Sequence, residues 1–192
     1  MTAVMYEEWI ALHRITVDQY YRMAEEGLLA PDARVELIDG VIIDMAPIGS
    51  RHAGTASQLG ELLLNALGTR AILRCQCPVS FGVASEPQPD LAVLRRRHDY
   101  YKGAHPSADD TLLIVEASET SVRYDLQVKI PLYARHRIPE VWIVDLKDEV
   151  LQVHRRPNAG TYRDVTRLTE PGVIALAALP DVKVDLSSLL RS

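Results

Sequence analysis

Two periods of apolar spacing alternate along this chain, and the switches between them mark its elements. Thr16 precedes Val17–Glu26, with Gln19 three residues on and Gly27 at the end, which predicts a helix opened by a capping box and stopped by glycine. Arg34–Ile38 and Val41–Met45 flank Asp39-Gly40, a strong signal for a two-residue hairpin. After Pro47 and Gly49, Ser50 introduces Arg51–Leu67, where Leu59, Leu62, Leu63, Ala66 and Leu67 recur at helical spacing and Gly68 ends the run. Ala71–Cys77 and Val79–Val83 read as strands on either side of Pro78, followed by a loop over Ser85–Pro89. Leu91–Leu94 and Leu112–Val115 are unbroken apolar runs, the pattern of strands covered on both faces. His98–Asp110 between them is polar and predicts a mobile loop. Residues 123–136 are helical by the spacing of Leu126, Ile130 and Tyr133, with a kink expected at Pro131. Val141–Asp145 and Val150–His154 are two further strands, and Tyr162–Val165 and Val182–Val184 are short strand-like pieces.

This order predicts an α/β fold with a central mixed sheet flanked by helices. No repeat, low-complexity stretch or linker divides the sequence, so a single domain over residues 1–192 is expected, and that length suffices for a real core. At 47% hydrophobic and 24% charged residues, disorder is not expected. No apolar stretch approaches the ~18–20 residues that span a bilayer. Met1–Ile15, with Glu7, Glu8, His13 and Arg14, lacks the pattern of a secretory leader. Cys75 and Cys77 are the only cysteines and belong to no zinc or CxxC motif. They read as buried or half-buried thiols without chemistry, on one face of a strand, and suit a reducing cytoplasm.

The candidate chemistry begins with two acids where apolar strands end. Asp90 opens Leu91–Leu94 and Glu116 closes Leu112–Val115. A carboxylate there loses water at a cost, unless it is paired or holds a cation. Lys129 follows in the helical stretch, one turn after Asp125. Two carboxylates and a lysine can form a site for a hard metal and an activated water, the chemistry of phosphodiester cleavage. Read alone, Lys129 is equally a helix-surface partner for Asp125. A net charge of −5 speaks mildly against phosphate affinity, although Arg95–Arg97 and Arg123, Lys129, Arg135, His136 and Arg137 form local basic clusters.

Several segments together resemble a known family. These are Glu36-Leu37-Ile38-Asp39-Gly40, Met45-Ala46-Pro47, His52, Pro89-Asp90-Leu91, Val115-Glu116-Ala117-Ser118, Arg123-Tyr124-Asp125-Leu126 with Lys129, Leu132-Tyr133-Ala134, and Pro139 through Asp145. In this order and spacing, from about residue 34 to 155, the chain resembles the Uma-type bacterial restriction endonuclease family of the PD-(D/E)XK superfamily. The resemblance implies a restriction-endonuclease-like core. It implies that Asp90 and Glu116, with the Ala117 carbonyl, bind Mg²⁺ or Mn²⁺. It also implies a catalytic set of Asp90, Glu116 and Lys129. Ser118 stands where the superfamily lysine usually lies, so Lys129 would supply the amine from the helix. Glu36 either lines the site as a fourth acid or pairs at a sheet edge. His52, Ser118 and Arg123 are candidates for contact with nucleic acid, with helix capping or solvent exposure as the alternative for His52. Trp142 is assigned to core packing.

The resulting expectation is a metal-dependent endonuclease acting on DNA, as a homodimer in the cytoplasm. Its rivals are a catalytically silent relative that serves as a nucleic-acid or protein interaction module, and a phosphoesterase acting on a small substrate.

Overall fold

The computed structural model describes residues 12–190. The segment Met1–Ile15 read for a leader therefore lies mostly outside the described residues. The chain groups into two compact units, one of the residues up to Ala46 with Phe81–Pro87, the other of Pro47–Ser80 with Gln88 onward.

In the first unit, α1 (Val17–Glu25) begins with the expected capping box. The Gln19 amide donates to the Thr16 hydroxyl at 3.2 Å and the Thr16 amide to the Gln19 side chain at 2.8 Å. β1 (Val35–Ile38) and β2 (Val41–Asp44) pair antiparallel with Ile38 opposite Val41. Asp39 and Gly40 both have positive φ (48° and 76°), as a type I′ turn requires. A Cβ on Gly40 would meet the Arg14 Cβ at 2.5 Å, so only glycine fits. All four residues of β1 are buried, so both of its faces are covered.

The second unit is built on a six-stranded sheet of order β3-β4-β5-β6-β7-β8. Its strands are β3 (Ala71–Cys75), β4 (Leu91–Arg95), β5 (Thr111–Ser118), β6 (Glu140–Asp145), β7 (Val150–Asn158) and β8 (Thr161–Leu168). Only β5 and β6 run parallel, and the crossover between them is helical: α3 (Val122–Tyr124), a π-turn (Asp125–Lys129) and α4 (Ile130–Arg135). Helix α2 (Ser50–Leu67) buries Leu59, Leu63 and Leu67 in a core with Leu91, Val93, Val115, Ala117, Trp142 and Val144. A two-stranded sheet of β9 (Val173–Ala175) and β10 (Lys183–Asp185) adds Val184 to that core, and the connection between the two strands adds Leu176 and Val182. Trp142 is fully buried as expected, with its indole N–H donating to Glu140 at 2.8 Å.

Several expectations are corrected. Val79–Val83 forms no strand, because the chain bends there and makes only an isolated bridge at Ser80. β3 stops at Cys75, where Gln76 takes a positive φ of 47°, so Cys75 and Cys77 do not share a strand face and Cys75 is exposed. The His98–Asp110 loop is anchored by Tyr101, whose buried ring donates its hydroxyl to the Arg95 carbonyl at 2.8 Å. The helix at residues 123–136 buries Ile130 and Tyr133 of the expected face, and its buried surface extends toward Asp125 and Lys129. Asp125, Lys129 and Tyr133 are buried while Leu126 is half-buried. The π-turn is the reason. In a regular helix the Pro131 ring would clash with the carbonyl four residues back, and the wider turn just before it relieves that clash and rotates the face.

Candidate functional site

Strand register brings the two sequence-distant acids together. β4 and β5 pair with Leu91 opposite Val115, which carries Asp90 alongside Glu116. The Asp90 amide donates to Glu116 Oε2 at 3.4 Å. Along β5, Val115 and Ala117 face the core under α2, so alternation turns Glu116 to the opposite face. There the crossover helix meets it. Lys129 Nζ donates to Glu116 Oε1 at 3.1 Å, and the Tyr133 hydroxyl donates to the same oxygen at 2.5 Å. Glu116 and Lys129 are 3% and 4% exposed, so this ion pair is well shielded from water.

Asp90 is held from other directions. Its Oδ1 lies 2.8 Å from His52 Nε2, in the first turn of α2, and accepts from the Gln76 side chain at 3.4 Å. Its Oδ2 accepts from the Ala117 amide at 2.9 Å. Burial alone would raise the Asp90 pKa. The His52 hydrogen bond, the Ala117 amide and the charges of His52 and Lys129 outweigh burial and hold the carboxyl below its ordinary value, as a carboxylate.

The donor chemistry suits a hard cation. Asp90 and Glu116 offer oxygens from adjacent strands. In a strand, the N–H and C=O of one residue share an edge. The Ala117 N–H meets Asp90, and the Ser118 carbonyl accepts from Leu146 on the other edge at 2.8 Å, so the Ala117 carbonyl faces the Asp90 side. Two carboxylates and a carbonyl are enough for Mg²⁺, which keeps several waters. Among the described residues, no group of three or more His, Cys, Asp or Glu side chains is arranged to hold a metal ion.

The remaining candidates have surroundings of their own. Ser118 is buried, and its hydroxyl bonds to Asp125 and lies 3.0 Å from the Ser121 hydroxyl, so it is not presented to a nucleic-acid backbone. Arg123 is exposed, and its Nε donates to Gln127 at 3.2 Å. Glu36 is buried on β1 in the first unit. There the Tyr20 phenol is shifted up by burial, then by the charges of Glu86 and Glu36. Three residues at the site were given no role in the sequence reading: Gln76, and Asp125 and Tyr133 from the motifs that carry the resemblance. The spacing Asp125-x3-Lys129-x3-Tyr133 places all three on one side of a helix and was the available clue.

The comparisons with known proteins bear on the family and the fold. Residues 17–187 match the sequence model of a family described as Uma2, putative restriction endonuclease. The chain belongs to the Uma2 family. The fold of this Uma2 protein also matches the crystal structure of a putative nuclease of the DUF820 group from Anabaena variabilis. That match has a TM-score of 0.66 and 16% identity, and covers 92% of this chain and 97% of that one. No curated protein matches the chain.

Proposed function

We propose that this Uma2 protein is a Mg²⁺-dependent endonuclease that hydrolyses phosphodiester bonds of DNA, working as a homodimer in the cytoplasm. The observation that carries the reading is the convergence of Asp90, Glu116 and Lys129, from three separate elements, on one buried cluster. Asp90, Glu116 and the Ala117 carbonyl would hold Mg²⁺ or Mn²⁺, and the bound metal supplies a water of lowered pKa and positive charge against the scissile phosphate. Lys129 orients the attacking water and offsets negative charge that develops on the phosphate oxygens. Tyr133 holds Glu116 in place when the lysine ammonium turns to the substrate. His52 and the Ala117 amide fix Asp90.

The test is nicking of supercoiled plasmid with Mg²⁺, alongside calorimetric titration of the metal. Asp90→Ala is expected to abolish metal binding, and Lys129→Ala to slow nicking about 10²-fold or more while metal binding persists. Metal binding that survives Asp90→Ala sinks the site assignment.

A catalytically silent interaction module is the second reading. All four oxygens of Asp90 and Glu116 already accept hydrogen bonds from the protein, and Ser118 stands at the usual lysine position. Absence of cleavage with Mg²⁺ or Mn²⁺ across a range of salt decides for it.

A further inference from the structure

The carboxylate pair sits at one end of the six-stranded sheet, and a second feature occupies the same end. Ser118 ends β5, Asp145 ends β6, Val150 begins β7 and Leu168 ends β8. An open groove of about 900 Å³ lies across these ends. It lies outside the carboxyl ends of the parallel pair β5 and β6, where α/β sheets place their ligands. Its wall is continuous with the candidate site. Glu119 and Thr120 lie three and four residues after Glu116 along the chain, and Arg51 precedes His52 on α2.

Four cations from four elements line the groove: Arg51 from α2, Arg123 from α3, Lys147 from the β6–β7 turn and Arg167 from β8. Arg51 is paired with Glu149 at 2.8 Å. Arg123 donates to the neutral Gln127. Among the described residues, Arg123, Lys147 and Arg167 enter no ion pair. Of the three carboxylates in the lining, Asp145 is spent on the Lys147 and Asp148 amides at 3.1 and 3.0 Å, closing the turn. Unpaired cations collected on one groove wall, in a chain of net charge −5, form a local binding surface for an anion. Three inter-strand steps of ~4.8 Å separate β5 from β8, about 14 Å in all. That spacing corresponds to roughly four base-pair rises of ~3.4 Å along a duplex axis.

We infer that this groove is the track for the phosphodiester backbone of duplex DNA on one side of the scissile phosphate, with Arg123, Lys147 and Arg167 as its phosphate contacts. The placement of the scissile phosphate rests on the nuclease reading, whereas the groove's affinity for DNA does not.

Binding is therefore measured without chemistry, by fluorescence anisotropy of the full chain with a labelled duplex of ~20 base pairs in EDTA, over a series of salt concentrations. Arg123→Ala, Lys147→Ala and Arg167→Ala are each expected to weaken binding and to flatten the log K against log salt slope by about 0.9. All three side chains are exposed, and thermal melts by circular dichroism check that the variants fold. Lys102→Ala removes an equally exposed cation from the loop between β4 and β5, and is expected to leave the slope unchanged. Slopes unaltered in the three groove variants, an equal effect of Lys102→Ala, or no DNA binding by the unmodified chain each overturn the inference. Groove-dependent binding without nicking retains the groove and sinks the nuclease reading. Nicking without groove dependence does the reverse.

Discussion

At the site Glu116 is the shared acceptor, since one of its oxygens accepts from both Lys129 and Tyr133. Tyr133→Phe keeps the ring in a fully buried position and removes only the hydroxyl. A hydrogen bond to a charged group is worth about 1.5–3 kcal/mol, so urea unfolding at neutral pH is expected to show a loss of that size. A loss under ~0.5 kcal/mol would mean that Lys129 alone satisfies the oxygen. At this scale the sequence was readable for the charged residues and not for the neutral ones. An acid that ends an apolar strand is out of place and draws attention, as Asp90 and Glu116 do. A tyrosine on a helix face is ordinary core material, so Tyr133 gave no sign of its contact. Gln76 reaches Asp90 only because the backbone turns left-handed at that residue, and its side-chain type does not announce such a turn.

Among the elements, the crossover decides whether the lysine can reach the strand. The π-turn is tied to β5 through Asp125, whose buried carboxylate accepts from the Ser118 and Ser121 hydroxyls. These bonds set the rotation that points Lys129 at Glu116. Asp125→Ala removes the charged acceptor of the Ser118 hydroxyl, which keeps only Ser121, at a cost of about 1.5–3 kcal/mol for hydrogen bonds to a charged group. It is expected to speed hydrogen exchange of the amides in residues 125–130 more than those of β5. Uniform acceleration across both elements would show that Asp125 stabilises the unit as a whole and does not set the turn. The helix itself was legible from its periodicity, and Pro131 signalled irregularity. The burial of Asp125 and Lys129 beside Ile130 and Tyr133 was not, because spacing counted at 3.6 residues per turn misses the extra residue that a π-turn inserts. The central strands β4 to β7 were recovered to within a residue at their starts, whereas β5 and β7 run three and four residues past the expected ends, to Ser118 and Asn158. β9 was missed because a three-residue strand with exposed Val173 offers too little pattern.

At the scale of the whole molecule, acid is the condition to which stability should respond most. Burial holds His154 on β7 neutral and lowers its pKa to about 4 from 6.5, and its Nε2 has no hydrogen-bond partner. The unfolded chain therefore takes up this proton first, and stability falls as pH drops from about 6.5 to 4. Asp90 acts lower. Its folded value lies below the unfolded one, so its contribution is present above ~pH 4 and is lost as pH falls through the folded value. His154→Phe is expected to flatten urea-derived stability between pH 6.5 and 4.5 and leave the steeper loss below pH 4. An unchanged slope in that variant assigns the upper limb to other groups. The lone parallel pair has a consequence during synthesis. β5 emerges from the ribosome before its neighbour β6 and cannot close onto it as a hairpin. Until the entire crossover and Asp145 have been translated, the nascent chain displays β5 as a bare apolar edge, and that interval is when it most needs a chaperone.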